Sequence, residues 1–286
     1  MAARAFREIV AETGRTITQP GMKPEPGLWD PEKVTFAWLG HSTVLLNFYG
    51  VTILTDPVLL SRIGANTALG TIGAKRFVAP ALTICQLPEI DLVLLSHAHM
   101  DHLDFNTVKR LPGRPKAVSA HGTGDLLQGL GLDEVRTLSW GQQTRVRTPR
   151  GEVHLQAFEV KHWGARWRYD TFRGYNGYVI SREDKKVIFG GDTALTDSFR
   201  RLRQSGPYDA AIMPIGAYQP WIMSHCTPEQ AVGMAETAGA RHFLPIHFKT
   251  FPLGKEGRVQ PMERLVEAIE PGRIGWQDVG ETFKLC

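Results

Sequence analysis

Ile90 to His102, IDLVLLSHAHMDH, joins two patterns end to end. IDLVLLS is a near-continuous apolar run and reads as a strand buried on both faces. It stops directly in H-x-H-x-D-H, made by His97, His99, Asp101 and His102. His97 and His99, two apart on an extended segment, can project the same way; Asp101 and His102 follow just past the turn. Neutral imidazole and carboxylate are ligands that borderline divalent ions such as zinc prefer. Four such groups in six residues exceed what one ion usually takes from one segment, so a pair of ions is expected. Packing is a poor competing account, because three of the chain's ten histidines crowd into this one strand end.

Upstream, VTFAWLG (34–40), TVLLNFYG (43–50) and VTILTDP (51–57) are short β-rich segments punctuated by glycine or Asp-Pro, a strand meander. Residues 1–32 read as an N-terminal arm, with an amphipathic start and then the Pro/Gly-rich QPGMKPEPGLWDP. Residues 58–88 are weakly patterned and read as a long surface loop. Downstream, TVKRL reads as a helix and KAVSA as a strand; 122–160 gives a helix, a strand and a β pair. GYVISR and KKVIFGG form a hairpin around EDK, followed by a helix (LTDSFRRLRQ) and a buried strand (YDAAIMPIG). Thr227-Pro228-Glu229-Gln230 combines an N-cap, a proline at the first helical position and a capping-box glutamine, so a helix starts there. RHFLPIHF, MERLVEAI and ETFKLC then give strand, helix and strand. In both halves strands meander first and alternate with helices later. One α/β domain over 33–286, with two sheets and outer helices, is the simplest reading.

Composition sets the outer bounds. Of 286 residues 42% are apolar and 22% charged, the balance of a soluble globular chain rather than a fibrous or disordered one. No apolar run approaches the roughly 18 residues that span a bilayer, and the charged N-terminus lacks a signal peptide's apolar stretch. A soluble, cytoplasmic chain is the expectation. Cys85, Cys226 and Cys286 have long spacings and no CxxC, which fits reduced thiols. The net charge of +4 suits a phosphate-bearing partner, yet no Lys/Arg block appears.

H-x-H-x-D-H, with WLGHSTVLL, ILTDPV, GGDT, PIGAY, H-x-x-P-E-x-A-V at His225 and IHFKTFPL, resembles the metallo-β-lactamase fold superfamily over most of 34–286. Within it the chain looks like the branch holding N-acyl-phosphatidylethanolamine-hydrolysing phospholipase D and, more distantly, ascorbate-6-phosphate lactonase. The resemblance implies a four-layer αββα sandwich with a dinuclear site where the two sheets meet. It implies His97, His99, His162 and Asp192 for one ion, and Asp101, His102, His247 and the bridging Asp192 for the other. Two divalent ions are expected, zinc first, with manganese or iron as alternatives. Residue by residue, Asp192 and His247 each follow a β-rich run, although an Asp after a strand is more often a turn or cap residue.

The remaining candidates are weighed separately. His225 sits in a loop before the capped helix; in the resembled branch that position lines the site, where it would bind phosphoryl oxygens or protonate a leaving group. With Asp101 it is the expected catalytic residue. His41, at the WLGHS turn, and Asp56, in ILTDP, are expected behind the ligands, orienting their imidazoles. His121, His154 and His242 are assigned to structure or surface, and Cys226 to a small buried position. The loop 163–178 interleaves Trp163, Trp167, Tyr169, Phe172, Tyr175 and Tyr178 with Arg166, Arg168 and Arg173. It reads as a substrate wall, as a partner or membrane-surface contact, or as ordinary packing.

The functional expectation is a dinuclear metal-dependent hydrolase, first a phosphodiesterase of the phospholipase D type using a metal-bridging hydroxide. The substrate would be a small or lipid-like ester, phosphate-containing. A lactonase or other carbonyl-ester or amide hydrolase is the alternative. A nuclease ranks lower, since no extended basic stripe is seen, and a non-catalytic metal-binding protein lower still.

Overall fold

The computed structural model describes residues 14–67 and 70–285; the amphipathic start read at 1–13 and Cys286 lie outside them. The meander is present as β1 (Val34–Gly40), β2 (Thr43–Phe48) and β3 (Val51–Thr55), paired antiparallel. Tyr49 and Gly50 close the β2–β3 hairpin at φ 54° and 87°, the left-handed pair whose twist matches that of the flanking strands. IDLVLLS supplies β6 (Leu92–Leu94), which lies parallel to β3 after a small hairpin of β4 (Ala65–Thr67) and β5 (Gly70–Ile72). Helix α1 (Phe105–Val108), β7 (Lys116–Ala120) and β8 (Val135–Leu138) follow, both strands parallel to β6. The C-terminal β15 (Thr282–Leu285) closes this sheet in the order β15-β1-β2-β3-β6-β7-β8.

The second sheet repeats the plan. Strands β9 (Gln143–Thr148), β10 (Gly151–Phe158), β11 (Gly177–Arg182) and β12 (Lys185–Phe189) meander antiparallel. Then α2 (Ser198–Leu202) leads to β13 (Tyr208–Pro214), and α3 (Pro228–Ala238) to β14 (Ala240–Ile246), parallel to β12. The order is β14-β13-β12-β11-β10-β9. At the start of α3, Thr227 Oγ1 accepts from Gln230 N, Gln230 Oε1 accepts from Thr227 N, and Pro228 takes the first turn, as the sequence indicates. Helix α4 (Gln260–Ala268) packs beside α3.

This topology decides where chemistry can sit. Strands β1, β3 and β6 run one way in the first sheet, and β10, β12, β13 and β14 run one way in the second, so their C-terminal ends gather at sheet edges. Ligand sites of α/β sheets form outside such strand ends. Two bonds tie the edges together: Asn176 N donates to Ser96 O at 3.0 Å, and the Tyr178 hydroxyl to Leu95 O at 3.0 Å. All of β1 and β2 is buried, as expected of strands covered on both faces.

Three expectations need correction. The stretch 58–88 is no mere surface loop: Leu59, Val78, Ala81 and Leu82 join the main core, and Arg76 is fully buried. The helix read from TVKRL is a single turn starting earlier, because Asp104 caps it by accepting from Asn106 N and Thr107 N. Helical cover over the first sheet is correspondingly thin, with a 3-10 turn at Gly124–Leu127 where a helix was read. Of the arm, Thr18 pairs with the body, donating to Phe77 O and accepting from Ala79 N.

Candidate metal centre

Six of the candidates lie beyond strand ends: His41 after β1, Asp56 after β3, His97 after β6, His162 after β10, Asp192 after β12 and His247 after β14. The structure brings their side chains into one cluster. His99 Nδ1 lies 2.7 Å from His97 Nε2 and 3.2 Å from His162 Nε2. Two nitrogens on one tetrahedral zinc stand about 3.3 Å apart, given Zn–N bonds of about 2.0 Å. A second group gathers His41, Asp101, His102 and His247. Asp192 stands between them: its Oδ2 is 3.1 Å from His102 Nε2, 3.2 Å from His247 Nε2 and 3.7 Å from His162 Nε2.

The far side of each ring fixes which nitrogen faces inward. His162 Nδ1 donates to Ser224 O at 2.8 Å, His97 Nδ1 meets Ser96 Oγ at 2.9 Å, and His102 Nδ1 lies 2.6 Å from Asp56 Oδ2. In each case Nε2 is left for the cluster, the arrangement that orients metal-binding imidazoles. Asp56 also accepts from Ser96 N and Ser96 Oγ. His41 behaves differently from expectation. Among the described residues it hydrogen-bonds no imidazole nitrogen; its Nε2 lies 3.0 Å from Asp101 Oδ2, and its ring is tilted 42° to that of His247 with centroids 4.1 Å apart.

The donor set fits divalent cations. Asp192 Oδ1 and His225 Nδ1 are buried without a hydrogen-bond partner, and His102 Nε2 and His247 Nε2 face Asp192 Oδ2 at 3.1 and 3.2 Å without hydrogen-bond geometry. Such a concentration of orphaned polar atoms is costly unless something positive binds there. Electrostatics agree. Burial first, then neighbouring imidazoles, holds His97 well below its ordinary range and His41 at about 3. Burial likewise lowers His162 to about 3 and His99 and His225 to about 4, leaving neutral rings that can ligate. Burial opposes charge on His102 and His247 too. There the carboxylates win, Asp192 foremost, raising His247 to about 9 and His102 well above its usual value. Burial would raise Asp101 and Asp192, but the surrounding imidazoles hold both well below the carboxylate range.

His225 joins His162 and Asp192 in the cluster, its Nδ1 3.9 Å from Asp192 Oδ2. It lines a mouth of about 280 Å³ with Asp101, Trp163, Trp221, Pro252 and Leu253. The cationic wall read from the 163–178 loop is not there. Arg166 and Arg173 are buried, the first bonded to Ala98 O and Leu103 O, the second to Asp170 and Asp125. Trp163 alone of that loop lines the mouth, its ring 4.5 Å from His99, while Trp167, Tyr169 and Phe172 are exposed beyond it. Among the described residues His121, His154 and His242 belong to no metal-capable group. Cys226 is buried against Pro214 O, and burial pushes its thiol up. Sequence reading missed Ser96, Ser224, Trp221 and Leu253. Ser96 adjoins His97 and was findable; Ser224 acts through its carbonyl, which leaves no side-chain signal.

Residues 52–248 match the family described as the beta-lactamase superfamily domain. The chain belongs to the β-lactamase superfamily. It is 32% identical over 254 residues to an uncharacterised protein of Mycobacterium tuberculosis, covering 86% of this chain and 66% of that one. It is also 32% identical over 269 residues to N-acyl-phosphatidylethanolamine-hydrolyzing phospholipase D 1 of Caenorhabditis elegans, covering 89% of this chain and 73% of that enzyme. The chain thus spans under two thirds of the mycobacterial relative. Among solved structures, a metallo hydrolase of Ignicoccus hospitalis matches with a TM-score of 0.66 at 22% identity, covering 89% of this chain and 99% of the other. The α/β fold of two sheets flanked by helices is that of these neighbours. Among the described residues no helix is long and apolar enough to cross a membrane.

Proposed function

We propose that this member of the superfamily is a metal-dependent hydrolase with two divalent ions, zinc first, acting on a phosphodiester as the nematode phospholipase D does. The observation that carries the reading is the convergence of seven imidazole and carboxylate groups, Asp192 at their centre. His97, His99, His162 and Asp192 would hold one ion; Asp101, His102, His247 and Asp192 the other. Bound there, the ions would supply Lewis acidity and a water whose pKa is lowered to about 7.

The chain's own groups do the rest. Asp192, with Oδ2 shared among three imidazoles and Oδ1 free, holds the two halves at a fixed separation. His41 keeps Asp101 oriented toward the cluster. His225 is held at about 4 by burial and so is neutral at pH 7. It serves as a hydrogen-bond donor to a phosphoryl oxygen rather than as a proton source. Trp163, Trp221, Pro252 and Leu253 offer an apolar surface to the flanking group of the substrate.

No lysine or arginine lines this mouth among the described residues. That favours a monoanionic diester over a dianionic monoester, and it equally suits a neutral carbonyl ester, the second reading. The deciding assay sets purified, zinc-loaded protein against an N-acyl-phosphatidylethanolamine, bis(p-nitrophenyl) phosphate and a lactone panel. Metal-dependent turnover of the diesters is expected. Turnover confined to lactones would replace the first reading with the second, and turnover of nothing would reject both.

A further inference from the structure

Arg166 lies four residues after His162, buried and turned away from the mouth. Its Nη1 donates to Ala98 O at 2.9 Å and to Leu103 O at 2.8 Å, and its guanidinium sits 4.0 Å over the Phe105 ring. Ala98 separates His97 from His99, and Leu103 follows His102, so one side chain grips both ends of the H-x-H-x-D-H turn. We propose that Arg166 is a positioning residue for the metal centre, locking the turn that carries His97, His99, Asp101 and His102 to the segment that carries His162. The proposal rests on the metal reading given above.

Three further observations support it. First, among the described residues the backbone bonds internal to the turn all run to His99 O, which accepts from His102 N and Leu103 N. Ala98 and Leu103 have no solvent exposure, so their carbonyls need an internal donor. Second, the 162–166 segment touches the same turn at two other points: His162 Nε2 at His99 Nδ1, 3.2 Å, and Trp163 against the His99 ring, 4.5 Å. The turn and the third histidine are therefore set as one unit. Third, Arg166 accepts a real cost for this place, since its Nε is buried without a partner. A planar guanidinium can span two carbonyls while stacking on an aromatic face; an ammonium cannot do both in one plane. Removing a group that orients metal ligands weakens metal affinity about 10- to 100-fold.

The test compares Arg166→Ala and Arg166→Lys with wild type, each stripped of metal and checked for folding by circular dichroism, then titrated with zinc against a chromophoric chelator. Both variants should bind zinc about 10- to 100-fold more weakly, and dilute guanidinium chloride should restore affinity to Arg166→Ala where equal potassium chloride does not. A purely structural arginine would lower the melting temperature and leave zinc affinity of the folded protein unchanged. That outcome, in either variant, overturns the proposal. Should Arg166→Ala not fold, Arg166→Lys decides by the same criterion. Wild type that takes up no zinc would instead refute the metal reading, a separate result.

Discussion

Asp56 Oδ2 lies 2.6 Å from His102 Nδ1, and neither side chain reaches solvent. The carboxylate accepts the Nδ1 proton and thereby leaves Nε2 facing Asp192. Burial pushes the Asp56 carboxyl up; His102 and two bonds from Ser96 pull it back. An ordinary-looking Thr-Asp-Pro turn thus sets the tautomer of a histidine 46 positions away.

Asp56→Ala should therefore weaken zinc binding about 10- to 100-fold, with Asp56→Asn between the two because its amide oxygen can still accept. Competition titration reads the affinity directly. Equal affinities in all three proteins would mean that this bond serves folding alone.

Asp192→Ala should impair both metal positions together, since His102, His247 and His162 all converge on that one carboxylate. Elemental analysis after gel filtration should find well under one tightly held ion per chain. Retention of two would contradict a bridging role.

Metal content should also reverse the pH dependence of stability. In the metal-free protein His247 is raised from 6.5 to about 9, and His102 is raised as well. A raised pKa gives stability that is complete below 6.5 and lost as pH climbs toward about 9. His162 and His99, lowered to about 3 and about 4, act oppositely: the unfolded chain gains protons below 6.5 that the folded one refuses. These groups place the metal-free optimum near pH 6.5. Zinc must displace the protons on His102 and His247, so its contribution grows from pH 6.5 to 9. Thermal melts across that window should fall for chelator-treated protein and rise for loaded protein; parallel curves would count against the assignment.

What the sequence made legible has a physical pattern. The H-x-H-x-D-H turn stands out because four ligand groups share one strand end, and the capped start of α3 because its signals are local. Asp192 and His247 become convincing only once β12 and β14 are seen to end beside β6. Arg166 and Arg173 misled because their spacing among aromatics is the same for a phosphate grip as for a clamp; only burial and the carbonyls they meet tell the two apart. The 58–88 stretch hid its core residues because Leu59, Val78, Ala81 and Leu82 stand among glycines, prolines and polar residues with no sustained strand or helix pattern.

His225 offers the sharpest test of mechanism. As a neutral donor to a phosphoryl oxygen it should matter equally for good and poor leaving groups. Removing one such donor costs about 10²- to 10³-fold in kcat. As a general acid it would matter for an alkoxide and hardly at all for p-nitrophenolate, which leaves without a proton. His225→Ala should keep both ions, since the seven other groups remain, and should lose a similar factor toward bis(p-nitrophenyl) phosphate and toward a dialkyl diester. Its burial, which keeps the ring neutral down to about 4, also means that no activity limb between pH 5 and 8 should vanish in the variant. A loss confined to the alkyl substrate, with a basic limb abolished, would restore the acid role; loss of an ion would make His225 a ligand.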